Sequence, residues 1–185
     1  MKNDVFINSD GINVFIEIHV KSKLIGKIIM TIIMLLLLFC YFAFLIMIDA
    51  KDIGSILVPF FIISIVLIVF PLRYLFWNLF GVEYIVVNTK TISFAYSYGI
   101  LTTNYKTIKF NRLASGFDTS KLYDDTLHGT LYFQDFDLET NLPINIFETS
   151  VIIPYTELLK IDDEIRKVFY NEFLYENQFI PFSLN

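Results

Sequence analysis

The stretch that decides the fold is IIMTIIMLLLLFCYFAFLIMI (28–48), DAKD (49–52) and IGSILVPFFIISIVLIVFPL (53–72). The two outer runs contain 21 and 20 residues and no charged side chain. Because an α-helix rises about 1.5 Å per residue, each run is long enough to cross the roughly 30 Å hydrocarbon core of a bilayer. The short link joins antiparallel neighbours, so the sequence predicts a membrane helical hairpin within residues 24–80.

Two alternatives fit this stretch less well. Buried helices of soluble proteins are amphipathic, whereas the few polar residues in these runs form no stripe. A secretory signal peptide has a shorter apolar segment, and here a second apolar run follows at once.

Charges beside the two runs predict their orientation. Three lysines, at positions 21, 23 and 27, lie just before the first run, and the link between the runs has one lysine against two aspartates. Positively charged flanks stay in the cytoplasm, so both termini are predicted on the cytoplasmic side of the cell membrane. The predicted membrane-interface anchors are Lys23, Lys27, Arg73, Tyr74 and Trp77.

Composition limits what the rest of the chain can do. Of its 185 residues, those from 81 to 185 include 14 acidic and 8 basic side chains, for a net charge of −6. This sign disfavours nucleic acid as a partner. The one cysteine, Cys40, lies inside the first apolar run and cannot form an intrachain disulfide. No cofactor is predicted.

Strand patterns flank the apolar runs. In residues 1–20, the turn signal Asp10–Gly11 precedes Ile12–Ile18, where aliphatic residues alternate with others. Because an isolated hairpin is marginally stable, this segment is predicted to join the β domain of residues 81–185. Its cleanest strand is TISFAYSY (91–98), whereas Ala114–Gly129 is polar and predicted as a loop.

An amphipathic helix is predicted over residues 156–176, with Thr156 as its N-cap. Its apolar stripe should pack on the sheet, while Asp162, Asp163 and their charged neighbours lie mostly away from it. Asp163 and Lys167 are spaced for an i,i+4 ion pair.

The order of these parts resembles the bacterial membrane-anchored PH-domain-like proteins. The resemblance is supported by a W-x-x-F-G-x-E-x-I step from Trp77 to Ile85 and a Y-x-x-I step from Tyr105 to Ile108 before Leu113. Phe147 followed by the helix from Thr156 also fits. The resemblance implies a membrane α-helical hairpin plus an α+β PH-like domain, an antiparallel β-sandwich or partly open barrel capped by one C-terminal helix. It implies no catalytic residues.

Catalysis and transport have little support in the sequence. No nucleotide-binding, serine-hydrolase or zinc-protease motif occurs, and the apolar runs contain no ionisable group at mid-depth. His128 with Asp124 and Asp125 could offer metal ligands, but a solvated loop is the favoured interpretation. An inositide pocket is disfavoured because the turn before Thr91 offers Lys90 alone.

The predicted function is therefore a non-catalytic interaction module that binds a protein partner at the membrane. Its candidate contact residues, in the predicted loop, are Asp118, Asp124, Asp125 and His128. A lipid-sensing or membrane-surface regulatory domain is the alternative. Self-association into a homo-oligomer stays open, although no G-x-x-x-G face favours it.

Overall fold

The protein is described from a computed structural model that covers residues 4–47, 53–123, 126–172 and 179–180. In chain order its elements are β1 (Val5–Ser9), β2 (Val14–His19), α1 (Leu24–Met47), α2 (Ile53–Phe80), β3 (Val82–Val87), β4 (Thr91–Ser97), β5 (Lys106–Lys109), β6 (Leu113–Tyr123), β7 (Thr126–Phe136), β8 (Pro143–Glu148), β9 (Ile153–Pro154), α3 (Tyr155–Glu172) and β10 (Phe179–Ile180).

The strands form two sheets, and the protein is α+β. The first sheet has the order β1-β2-β3-β4-β5 and is antiparallel throughout. The second has the order β10-β6-β7-β8, with β9 also on β7. It is antiparallel except where β10 pairs with β6.

The helical hairpin is inserted in the first sheet between two paired strands. β2 and β3 are antiparallel neighbours from Val14↔Val87 to His19↔Val82, although α1 and α2 separate them in the chain. At the base of the hairpin, the Val20 N–H donates to the Gly81 carbonyl at 2.9 Å. The N-terminal segment, predicted to join the β domain of residues 81–185, thus pairs through β2 with the first strand of that domain.

The two helices contact each other through aromatic rings. The Tyr41 and Phe44 rings stack on Phe60, with centroid distances of 5.0 and 4.8 Å. Among the residues that the structure describes, one helical segment, Leu24–Phe44, is long and apolar enough to cross a membrane. α2 continues to Phe80, beyond the predicted span 53–72. The second span and the orientation stay predictions.

The core lies between the two sheets and α3. The aliphatic face of β2 is buried, and so are the facing residues of both sheets and one face of α3. Burying each such side chain contributes roughly 1.5–3 kcal/mol. The core includes Val14, Ile16, Ile18, Ile85, Ile92, Leu131, Phe133, Leu158, Ile161 and Ile165.

The loop predicted over Ala114–Gly129 is wrong, because most of this segment belongs to the β6–β7 hairpin. Its glycines are positions of close approach: a Cβ on Gly116 would overlap the Tyr132 side chain, and one on Gly129 would overlap the Asp118 carbonyl. The register also shifts between Asp118 and Lys121. Pairing along two long strands stabilises a polar sequence that local propensity assigns to a loop.

Helix α3 begins at Tyr155, one residue before the predicted N-cap, and residues 173–176 of the predicted helix lie outside the described residues. The predicted Asp163–Lys167 ion pair is confirmed at 2.8 Å. Asp162, however, is buried rather than turned to solvent. It accepts a hydrogen bond from Ser115 Oγ at 2.9 Å and pairs with Arg166 at 2.7 Å.

Candidate ligand-binding site beside helix α2

An open cavity of about 470 Å³ lies between the end of α2 and the end of β4. Helix α2 contributes residues at positions 70, 73, 74 and 77, which the helical repeat places on one face. The cavity is lined by Phe70, Arg73, Tyr74, Trp77, Tyr96, Tyr98 and Ser150.

Aromatic rings form the middle of the cavity wall. The Trp77 ring lies 5.8 Å from the Tyr96 ring and 5.4 Å from the Tyr98 ring, measured between centroids. Tyr96 in turn contacts Phe94 at 6.1 Å, and Phe94 contacts Phe147 at 4.4 Å. The cavity wall is therefore continuous with the core, which fixes the positions of its rings.

Arg73 lies at the mouth of the cavity. Its Nη2 donates to the Tyr98 hydroxyl at 2.6 Å, and its Cζ lies 4.7 Å from the Tyr98 ring centroid. The side chain is exposed, and no ion pair joins it to a carboxylate within the described part of the chain. A guanidinium has five N–H groups, so Arg73 is held in place with donors still directed to solvent.

Glu83 lies directly behind the wall and is fully buried. Its carboxylate accepts from the Ser150 N–H and the Ser150 Oγ, both at 3.3 Å. The Val151 N–H and the Tyr96 hydroxyl are further donors. Burial raises the pKa of Glu83 to about 7, although these hydrogen bonds act in the opposite direction.

Tyr96 connects this carboxyl group to the cavity. Burial, and then the charge of Glu83, raise the pKa of Tyr96 to about 12. The hydroxyl therefore stays protonated near neutral pH and donates to Glu83. The site thus has a cation at its mouth, aromatic rings in the middle and a carboxyl group one hydrogen bond behind the wall. Such an arrangement can bind charged groups of a ligand.

Three of the predicted anchor residues, Arg73, Tyr74 and Trp77, come together in this cavity. The other two lie elsewhere: Lys23 is exposed just before α1, and Lys27 is half-buried in its first turn.

The predicted partner-contact residues do not form one exposed loop. Asp118 is exposed on β6, whereas His128 is buried on β7, with Nδ1 2.9 Å from the Thr126 carbonyl oxygen. The solvated position predicted for His128 is therefore wrong. Asp124 and Asp125 lie outside the described residues.

Sequence reasoning did not select Glu83, Tyr96, Tyr98 or Ser150 as site residues. Glu83 is the one charged residue in the apolar strand EYIVVN, and that contrast was an available signal. Tyr96 and Tyr98 lie in the predicted strand TISFAYSY, whose alternation indicates a strand and no binding role. Ser150 had no local signal, because its role depends on a partner 67 positions away in the chain.

No group of three or more histidine, cysteine, aspartate or glutamate side chains is placed to hold a metal ion in the described ranges. Compared with protein-family models, curated proteins and solved structures, the chain matches none.

Proposed function

We propose that this chain is a two-span protein of the cytoplasmic membrane that presents a PH-like domain as a non-catalytic binding module. The main support is the position of the helical hairpin. It leaves the β domain at Val20 and returns at Gly81, and these two residues are hydrogen-bonded. A membrane anchor built in this way holds both sheets close to the bilayer surface.

The helical hairpin exposes more apolar surface than is usual for a soluble protein. Large apolar side chains are exposed along both helices, and a contiguous patch of this kind is rare on a soluble monomer. Lipid tails would cover the patch, while the helices satisfy their own backbone hydrogen bonds. The exposed residues include Ile28, Ile29, Ile32, Leu35, Leu36, Phe39, Phe61, Ile62, Ile65 and Val69.

Non-catalytic binding is supported by the chemistry of the cavity. The carboxyl group with the raised pKa, Glu83, is fully buried and surrounded by hydrogen-bond donors, so a substrate in the cavity does not contact it. The net charge of −6 from residue 81 onward favours a protein partner with a basic surface. Asp118, exposed on β6, is a suitable contact residue on this domain.

Thiol labelling in intact cells tests the topology. In a Cys40→Ala background, Ala50→Cys should react with an impermeant maleimide, whereas Leu138→Cys, in the exposed β7–β8 turn, should react only after permeabilisation. The opposite pattern overturns the orientation. Release of the chain from membranes by alkaline carbonate overturns the membrane anchor itself.

Crosslinking tests the binding role. A photoreactive residue at Asp118 should capture a basic protein in intact cells, and the same residue at Thr156, exposed on α3, serves as the control. If the two positions give the same products, Asp118 is not a contact residue. The alternative, a lipid-sensing domain, is favoured by one observation: the cavity includes Phe70, which lies at the end of the predicted second span.

A further inference from the structure

We propose that the cavity beside α2 binds the zwitterionic head group of a membrane phospholipid. In this assignment Arg73, held by Tyr98, contacts the phosphate, and the rings of Trp77 and Tyr96 contact the ammonium group. The inference rests on the proposed membrane location and adds a ligand class to it.

The position of the cavity suits a lipid whose chains stay in the bilayer. Phe70 and Tyr74 are exposed on the cavity side of α2. Phe70 belongs to the apolar run that ends at Leu72, and Arg73 is the first charged residue after it. The mouth of the cavity would therefore lie where hydrocarbon gives way to head groups, and acyl chains can follow α2 past Phe70.

Arg73 has the properties of a phosphate ligand. Guanidinium groups bind phosphate through paired N–H groups, and preorganisation lowers the entropy cost of each bond. The Tyr98 hydroxyl and ring hold the Arg73 side chain in one place, 2.6 Å from the hydroxyl and 4.7 Å above the ring.

The aromatic part of the cavity wall suits a cation. Ammonium groups are attracted to the faces of aromatic rings, most strongly to tryptophan. Glu83, whose pKa is about 7, lies directly behind the wall and is partly ionised near neutral pH; Tyr96 and Ser150 both line the cavity and hydrogen-bond it. Phosphate at Arg73, next to the end of the apolar run, and ammonium at the rings beyond it is the order in which a phosphoethanolamine or phosphocholine group extends from its glycerol.

The one tryptophan of the chain, Trp77, makes the test direct. The full chain in non-ionic detergent is titrated with dioctanoyl phosphatidylethanolamine while Trp77 fluorescence is recorded. Saturable binding should be several-fold tighter than with dioctanoyl phosphatidylglycerol, which has the phosphate and no ammonium group. Arg73→Gln should weaken binding about tenfold or more, the usual effect of losing a charge-assisted hydrogen bond.

The control variant is Arg112→Gln, because Arg112 also lies over an aromatic ring, that of Phe136 at 5.3 Å, but outside the cavity. It should bind as the natural chain does. Tyr98→Phe keeps the ring and removes the hydroxyl that orients Arg73, so it should weaken binding several-fold. This variant decides the question if Arg73→Gln does not fold.

The proposal is overturned by no saturable change, by equal or tighter binding of phosphatidylglycerol, or by unchanged affinity in the folded Arg73 variant. Soluble phosphoethanolamine, which has the head group without acyl chains, is titrated in the same way. If it binds as tightly as the lipid, the source of the head group is a water-soluble phosphoester and the lipid assignment is wrong. The proposed membrane topology is tested separately by thiol labelling in cells, which uses no added lipid, so its failure can be distinguished from failure of the lipid assignment.

Discussion

The Val20 N–H donates to the carbonyl oxygen of Gly81 at 2.9 Å, which joins the residue before the helical hairpin to the residue after it. A second bond, from Ser22 Oγ to the Asn78 carbonyl at 2.9 Å, lies just beyond it. No side chain fits at Gly81, because a Cβ there would overlap the Trp77 carbonyl and approach Val20. The chain segments that enter and leave the helical hairpin are therefore packed together. β2 and β3 pair with each other as directly as if the hairpin were absent.

Ile16→Asp should destabilise the C-terminal β domain, although Ile16 lies before both helices. Its side chain is 1% exposed in the core shared by β2, β3 and the second sheet. An unpaired carboxylate buried there costs several kcal/mol, comparable with the whole stability of a small domain. Limited proteolysis of the full chain should show faster cleavage between residues 81 and 172.

Phe15→Asp is the matched control, because Phe15 is 38% exposed on the opposite face of the same strand. It should change protease sensitivity little. Equal cleavage of the natural chain and the Ile16 variant would contradict the placement of β2 in the core.

Residues 81–185 alone should fold poorly, whereas a chain that joins residues 4–20 to residues 81–185 through a short glycine–serine linker should fold. The first chain lacks β2 and leaves the aliphatic face of the core open; the second restores it, because Val20 and Gly81 are already adjacent. Urea unfolding followed by circular dichroism distinguishes the two. Equal midpoints and equal cooperativity would mean that the N-terminal strands are not part of the domain.

The stability of the β domain should fall between about pH 4.5 and pH 7 through Glu83. Its pKa is raised from the ordinary 4.5 to about 7, mainly by burial, so the folded state holds a proton that the unfolded state has lost. The proton on Glu83 stabilises the folded state fully below the unfolded pKa of 4.5, and this stabilisation is lost as the pH rises through the folded pKa of about 7. The shift corresponds to a loss of about 3 kcal/mol.

Glu83→Gln should remove this pH dependence and make the variant more stable than the natural chain above pH 7. The measurement is thermal unfolding of the full chain in detergent at several pH values, followed by Trp77 fluorescence. Glu139→Gln, at an exposed carboxylate in the β7–β8 turn, should leave the pH profile unchanged. Parallel profiles for the natural chain and the Glu83 variant would show that Glu83 does not titrate in this range.

Two adjacent aspartates of α3 should differ in their effect on stability. Asp162→Ala leaves the buried Ser115 hydroxyl without its acceptor, which should cost about 1–3 kcal/mol. Asp163→Ala removes an exposed ion pair with Lys167 and should have little effect. Urea unfolding of both variants tests this contrast, and equal destabilisation would show that the bond between α3 and β6 contributes nothing specific.

The elements with strong local periodicity were predictable from the sequence. The period of two in Ile12–Ile18 identified β2, and uniform apolar composition identified the two long helices. The β6–β7 hairpin was missed because its glycines looked like loop residues. Their function is to let Tyr132 and the Asp118 carbonyl approach, and close approach between strands leaves no periodic signal.

The candidate site was only half predictable. Arg73, Tyr74 and Trp77 follow an apolar run directly, and their chemistry predicted an interfacial position. No sequence pattern connects them with Tyr98 or Ser150, because those contacts depend on how the ends of β4 and β8 pack against α2. The burial of Asp162, on α3, was missed for the same kind of reason: its partner Ser115 is on β6, 47 positions earlier in the chain.

During translation, the inserted helical hairpin delays the pairing of β2 with β3. His19 and its partner Val82 are 63 positions apart in the chain. A ribosome that adds about 5–20 residues per second therefore leaves β2 without its neighbour for roughly 3–13 s. Both helices emerge during that interval, so the anchor that we propose enters the bilayer before the β domain can close. Until then the N-terminal hairpin is marginally stable and exposes its aliphatic face, which is the condition under which nascent chains aggregate.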